Sequence, residues 1–480
     1  MAETIYSIGI DAGTSTSQTV LSSFLLENHG GYFSVPQVAF AERQVLWQSE
    51  IHETPLRSAE EIDAPALRAL VAADIAAAQP YLNGHPISTG AVIITGETAR
   101  KSNADAVLKE LSGFAGDFVA ATAGPDLESE LAGRGSGAAE RSKTHKTTVV
   151  NFDIGGGTTN VAVFRKGELV GVTCFDIGGR HIRFDSENRI IYMSATVRRL
   201  IKAHTLRVEE GKTAAEETLK RIAHAMTDVL FMQEDAYRTK GAAQLSAPVK
   251  ALLETDAEIT FSGGVADCIY NNKSNPYLYG DFGVFLGQAI RESRLFGKQT
   301  VKPRETIRAT VTGAGMYSVT LSGSTIGYAD ASVFPLKNLP VFTVTPEKEE
   351  LLWSGKGADE LGAAFAGFLA QNDTDNAVLY LEGKANPGYM ELDRLARSVA
   401  QVFAHAIRKE LPRIVVFFHD IAKAAGQLLR RYMENGDSAR KGKVVALDRI
   451  RVDARNYLDI GRPLMGGLAV PVVVKTLLLG

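Results

Sequence analysis

Two short segments combine residue types that together can hold a phosphate and its metal. Ile10-Asp11-Ala12-Gly13-Thr14-Ser15-Thr16 and Phe152-Asp153-Ile154-Gly155-Gly156-Gly157-Thr158-Thr159 each run from an apolar stretch through an aspartate into glycines and hydroxyls. Glycine lets backbone N–H groups approach an anion with no Cβ in the way, and successive N–H groups form an anion nest. The hydroxyls of Thr14, Ser15, Thr16, Thr158 and Thr159 add donors. Asp11 and Asp153 supply hard oxygens suited to Mg²⁺, reached through its water shell. The aspartates are 142 positions apart (153 − 11). Two such turns facing each other would clamp a polyphosphate from both sides. One alone would read as an ordinary glycine-rich hairpin turn.

A second polar cluster, Thr95-Gly96-Glu97-Thr98-Ala99-Arg100-Lys101, follows the buried-type strand Gly90–Thr95, where open α/β sheets place functional groups. Glu97 there could polarise an attacking water or hold a metal-bound one, or simply sit in the first turn of a capped helix. Arg180, after Ile177-Gly178-Gly179, reads as a solvated helix start rather than a phosphate-side cation. His405, His419 and the cysteines Cys174 and Cys268 lack neighbours at metal-ligand or nucleophile spacing and read as packing or surface residues.

The elements that must carry these residues alternate between strand-like and helix-like patterns, which is the signature of an α/β protein. Ile5–Asp11 and Thr147–Asp153 are strands entering the two turns. Val161–Phe164 and Leu169–Val172 flank a hairpin turn at Arg165-Lys166-Gly167-Glu168. Ala64–Ala78 is an Ala-rich helix, 194–238 has long helical periodicity, and Ala257–Ser262 is a strand ending in Gly263-Gly264. Arg134–Lys146 reads as a connector, and composition shifts again near Gly297–Thr306. Beyond it come Ala377–Leu381, Ile414–Phe418 and Val444–Leu447 as strands, with Leu392–Lys409 and Ala422–Met433 as helices. The expected division is 1–140, 141–300 and a C-terminal α/β module at 301–480.

Composition closes off other classes. The 480 residues are 45% hydrophobic and 22% charged, which is ordinary for a folded globular chain. With 52 Lys+Arg against 55 Asp+Glu the net charge is −3, so the broad basic field of a nucleic-acid binder is missing. Two cysteines cannot frame a disulfide scaffold. The start lacks a signal-peptide core, and no apolar run reaches the roughly 18 residues of a membrane span. The expectation is a cytoplasmic protein with neither nucleic acid nor membrane as partner.

Neither turn is a Walker A loop or a Rossmann fingerprint. The pair resembles the two phosphate loops of the actin, Hsp70 and sugar-kinase ATPase superfamily. That implies two RNase-H-like domains around a cleft holding Mg-ATP. On this resemblance Gly124-Pro125-Asp126-Leu127-Glu128 opens the first connecting helix, and Gly263-Gly264 form the adenosine loop, for which 312–325 is a rival. Asp281-Phe282-Gly283 to Ala289 is then the second connecting helix. Within the superfamily the whole chain resembles the ethanolamine ammonia-lyase reactivating factors. Beyond the two turns, the resemblance is carried by Ile94–Lys101, Ala123–Ser129, Tyr457-Leu458-Asp459-Ile460-Gly461-Arg462-Pro463 and Val470–Thr476. It implies an ATPase, needing ATP and Mg²⁺, that acts on ethanolamine ammonia-lyase. The damaged cobalamin is released so that adenosylcobalamin can enter, and association with a bacterial microcompartment is compatible with that role. Glu97 and Asp153 would be catalytic; Asp11, Gly13, Thr14, Ser15, Thr16, Asp153, Gly155, Gly156, Gly157, Thr158, Thr159, Gly263 and Gly264 would hold ATP. A small-molecule kinase and an actin-like scaffold are the alternatives that the fold alone leaves open.

Overall fold

The computed structural model describes residues 2–476 apart from 14–15, 31–36, 59–60, 95–102, 104–106, 108–109, 112–113, 115–123, 248, 318, 323–325, 329, 409, 434–442 and 453–455. Thr14, Ser15, Glu97 with the rest of its cluster, and Gly323-Ser324-Thr325 lie outside the described residues.

The apolar strand pattern around each acidic turn builds the same sheet twice. In the first, Val38–Gln48, Thr16–Asn28, Ala2–Ala12 and Thr89–Ile94 lie side by side in that order. In the second, the order is Glu168–Phe175, Thr159–Arg165, Thr148–Ile154 and Glu258–Ser262. Both meander antiparallel through three strands and add a fourth parallel to the first. The repetition extends to single residues. Asp11 pairs with Gln18 and Asp153 with Asn160, and each turn is closed by the same bond, from Gly13 N to Thr16 O and from Gly155 N to Thr158 O, both 2.9 Å. The protein is α/β, as the alternating sequence pattern implies.

Period-two alternation along Ala2–Ala12 decides what faces what. Ile8, Ile10 and Ala12 are buried with Leu67 and Val71 of the helix Ala64–Ala78. Ser7, Gly9 and Asp11 point the other way, toward the helix Ala309–Tyr317: Ser7 Oγ donates to the Gly315 carbonyl at 2.7 Å, and a Cβ on Gly9 would come 2.6 Å from the Val311 carbonyl oxygen. That helix also crosses Pro125–Gly135 backbone to backbone, because a Cβ at Gly313 would collide with the Leu131 carbonyl and one at Gly135 with that of Ala309. The pair joins the two sheets.

Here the structure corrects one expectation. The helix Gly283–Glu292 is not the second connector; it packs on Glu216–Met232 and Ala266–Tyr270 inside the second half, with Phe285, Leu286 and Ile290 in that half's core. The connector is Ala309–Tyr317, whose small residues at Gly313, Ala314 and Gly315 give the close approach. Arg134–Lys146 is likewise not a plain connector but the end of one helix and a second, Ala138–Thr144.

The remaining chain forms an eight-stranded sheet in which Leu336–Thr343, Val378–Leu381, Arg413–Phe417 and Val444–Leu447 run parallel. Four of the described helices cover one face of it, burying Leu352, Phe365, Leu395 and Phe403. This sheet is joined firmly to the first half: Met465 packs with Ile5, Phe24 and Leu26, while Val473 packs with Ile93 and Leu131. Among the described residues no helix is long and apolar enough to cross a membrane.

Candidate functional site

The two turns face one cavity of about 430 Å³. Asp11, Gly13 and Thr16 line it from the first half, and Asp153, Gly155, Gly156, Gly157 and Thr158 from the second. Gly263 and Gly264 line it as well, with Cys268, Tyr279 and Asp281 beside them. The rival segment is elsewhere: Thr312–Gly315 lies within the connecting helix. Thr159 is separated from the set, since its side chain is fully buried and its hydroxyl donates to the Ile177 carbonyl at 2.7 Å.

Each anchor is placed by its strand and held by named partners. Asp153 Oδ1 accepts from Ser262 Oγ at 2.6 Å, and Oδ2 from Thr310 Oγ1 at 3.1 Å. The chain of bonds continues inward, as Asn151 Nδ2 donates to Ser262 Oγ and Thr260 Oγ1 donates to Asn151 Oδ1. Burial pushes the Asp153 carboxyl above its ordinary range, against the opposing pull of those two hydroxyls. The Asp153 turn is also braced from behind. Gly179 N and Arg180 N donate to the Gly155 and Gly156 carbonyls at 2.9 and 2.7 Å, and a Cβ on Gly178 would collide with Gly156. His181 bonds through Nε2 to the Gly157 carbonyl at 2.7 Å, so that nitrogen carries the proton and Nδ1 accepts from Ser194.

Arg180 is thus not a helix start. It lines the cavity, 3.6 Å from Asp281, because the Gly178-Gly179 turn folds it against the phosphate loop.

The sequence reading missed Glu128 as a functional group. The helix Pro125–Gly135 begins with Gly124 as its cap and Pro125 in the first position, which sets Asp126 and Glu128 in its first turn. Glu128 lines the same cavity as Asp11 and Asp153. Burial, then the Asp11 and Asp153 charges, push its carboxyl well above the usual carboxylate range, although Asn160 Nδ2 donates to it at 2.9 Å. A carboxylate three positions after Gly-Pro, in a helix expected at a cleft, was the available signal. Gln18 and Asn160, the cross-strand partners of the two aspartates, also line the cavity and could have been found by carrying the 142-residue offset through both hairpins.

Asp11, Asp153 and Glu128 repel one another across this cavity until a cation or protons intervene. Among the described residues no three His, Cys, Asp or Glu side chains lie close enough to ligate a metal directly. Hard oxygens from opposite walls with room between them suit Mg²⁺, which retains water and takes phosphate oxygens as ligands. Cys268, on the same wall, is 2% exposed and its thiol is pushed up to about 12 by burial, so it is unreactive there. Elsewhere His405 meets Asp359 at 3.0 Å in an exposed pair, as a surface residue does.

Comparison with known proteins places these features in context. The family model described as "Ethanolamine utilisation protein EutA" matches residues 3–480. A Salmonella typhimurium protein named ethanolamine ammonia-lyase reactivase EutA is 34% identical over 481 residues, covering 98% of each chain. Its Escherichia coli namesake is 32% identical over 486 residues, again 98% of each. Among solved structures, an Aquifex aeolicus member of the Ppx/GppA family superposes with a TM-score of 0.35 at 15% identity, over 65% of this chain and 88% of that one.

Proposed function

Since the chain belongs to the EutA family of ethanolamine utilisation proteins, we propose that it is an ATP-hydrolysing reactivase of ethanolamine ammonia-lyase. It works on lyase whose cobalamin is damaged, freeing that cofactor so that intact adenosylcobalamin can bind. The observation that carries the reading is the meeting of Asp11, Asp153 and Glu128 at one cavity between two hairpins of identical register. Its place of action is the cytoplasm or a microcompartment in which the lyase is housed.

In this reading the backbone amides of the turns at 13–16 and 155–158 cradle the β- and γ-phosphates, with Thr14, Ser15, Thr16 and Thr158 adding hydroxyls. Gly263 and Gly264 let the nucleoside lie against the chain, with the Tyr279 ring at the mouth of the cavity. Asp11 and Asp153 would hold Mg²⁺, which would supply neutralisation of the charge on the phosphates. Glu128, kept in a dry wall, positions the attacking water and accepts its proton once the neighbouring negative charge is compensated. Glu97, three positions beyond Ile94 in the sequence and outside the described residues, remains a second candidate for water contact. Arg180 exchanges Asp281 for phosphate.

Thr310 gives hydrolysis a route to the partner, because it ties Asp153 to the helix Ala309–Tyr317, which lies on the first sheet. ATP and ADP states that seat Asp153 differently would favour different hinge angles, and thus different affinities for the lyase. Residues 1–140 and 141–300 are the two ATPase halves, the connecting helix following them, and the sheet that completes 301–480 is the surface for the lyase.

The test is recovery of activity from cobalamin-inactivated ethanolamine ammonia-lyase. Recovery with Mg-ATP, and none without nucleotide, is expected. Recovery independent of ATP, or phosphate release with no rescue of the lyase, would overturn the proposal.

A further inference from the structure

We infer that a second site, for a small polyanion such as a phosphate ester, lies at the far ends of the connecting helices. A cavity of about 320 Å³ opens there. Each helix has one end in each cavity. Pro125–Gly135 gives Glu128 to the cleft and Arg134 to the second cavity; Ala309–Tyr317 gives Thr310 to the cleft and Thr312 and Tyr317 to the second. At 1.5 Å per residue, Glu128 and Arg134 are about 9 Å apart along the axis.

Three cations face this space: Arg43, Arg134 and Arg304. Arg43 is the telling one. Its guanidinium lies 4.3 Å from the Phe40 ring centre and 4.6 Å from that of Tyr317. Stacking occupies the faces of the group and leaves its in-plane N–H donors for an anion. Among the described residues no oxygen accepts from Arg43 or from the Arg304 side chain, whereas Arg134 donates to Glu130 at 2.8 Å. Burial lowers Arg43 to about 10, the mark of a desolvated cation without a counter-ion.

An independent observation comes from the neutral wall. Thr312 is 6% exposed, and its hydroxyl has no partner among the described residues. Buried hydroxyls are costly to leave so, and an oxygen-rich ligand would satisfy this one. Two carboxylates also line the cavity. Glu305 Oε1 is already engaged by the Thr306 and Arg308 amides at 2.8 and 3.3 Å, and Glu140 is exposed. The balance favours an anion over a cation. An adjoining cavity of about 280 Å³ shares Arg304 and adds Lys302, which gives room for a ligand longer than one phosphate. Since both cavities are walled by the same two helices, occupancy of one alters the other by whatever difference in hinge geometry each prefers.

Isothermal titration of the full chain with pyrophosphate tests this without requiring ATP hydrolysis, so its failure is separable from failure of the proposed function. Pyrophosphate also suits the phosphate turns of the cleft, so the arginine variants identify the second site. Arg43→Gln or Arg304→Gln should weaken one pyrophosphate site at least about tenfold, the scale of a charge-assisted hydrogen bond. Absence of binding, or affinities unchanged in both arginine variants, overturns the inference. Should Arg43→Gln fail to fold, the exposed Arg304 and Thr312→Val decide the outcome alone.

Discussion

The two acidic hairpins share register to the residue yet are held differently. Beside Asp11 in the parallel strand stands Ile93, which has no side-chain hydrogen bond to offer; beside Asp153 stands Ser262, which donates to it. Among the described residues the first turn is braced by Thr54, whose hydroxyl donates to the Gly13 carbonyl at 2.8 Å. The second is braced by a whole segment, 178–181, and its aspartate is bonded to the hinge helix through Thr310. Both hairpins therefore touch the hinge helix, the first through Ser7 on the Asp11 strand and the second through its aspartate itself.

The largest expected effect tests whether both grips are needed. Asp11→Ala and Asp153→Ala should each lower ATP turnover by at least about 10³-fold, since several kcal/mol of charge stabilisation by the metal depend on them. Turnover retained in either one breaks the symmetry of the clamp. Glu128→Gln should lower kcat by about 10²–10⁴-fold while leaving ATP affinity within a few-fold, as expected for a proton acceptor. Equal losses in both would assign Glu128 to packing.

The same variant carries a pH signature. The Glu128 pKa is raised in the fold, so between its ordinary value of 4.5 and the raised one the native state binds more protons than the unfolded state. Stability of the nucleotide-free protein should consequently fall as pH rises through that window. In Glu128→Gln the unfolding midpoint should decline less as pH rises above about 4.5. An identical decline in wild type and variant would mean that another group titrates.

Smaller effects separate the bracing from the hinge contact. Gly178→Ala forces a Cβ into Gly156 and should cost about 1–3 kcal/mol in urea unfolding, whereas Gly264→Ala enters open space and should stay within about 0.5 kcal/mol. Thr310→Val removes one bond to Asp153, worth about 0.5–1.5 kcal/mol. It should slow hydrolysis only several-fold but uncouple lyase rescue from it; loss of both in proportion would deny the hinge connection its role.

Much of this was legible in local pattern. The helices Ala64–Ala78 and Ala422–Met433 and the strand Val444–Leu447 have the bounds that periodicity predicts, and the turn at Lys166-Gly167 has the positive φ angles that its residues favour. Asp11 and Asp153 were legible because strand, acid, glycine and hydroxyl are contiguous in the chain. Glu128 was visible as a residue but not as a role, and Arg180 was read as solvated although it lines the cleft.

The reason is the range of the interactions. Hydrophobic periodicity and turn chemistry act over a few residues, so the sequence alone determined the duplicated hairpins. The raised pKa of Glu128 depends on burial and on two charges 117 and 25 positions away (128 − 11 and 153 − 128), brought to one cavity wall. The choice of Ala309–Tyr317 over Gly283–Glu292 as connector rests on whether backbones can touch across Gly135 and Gly313. Both helices carry small residues, and only the packed structure, by placing one against the first sheet and the other in the second core, decided between them.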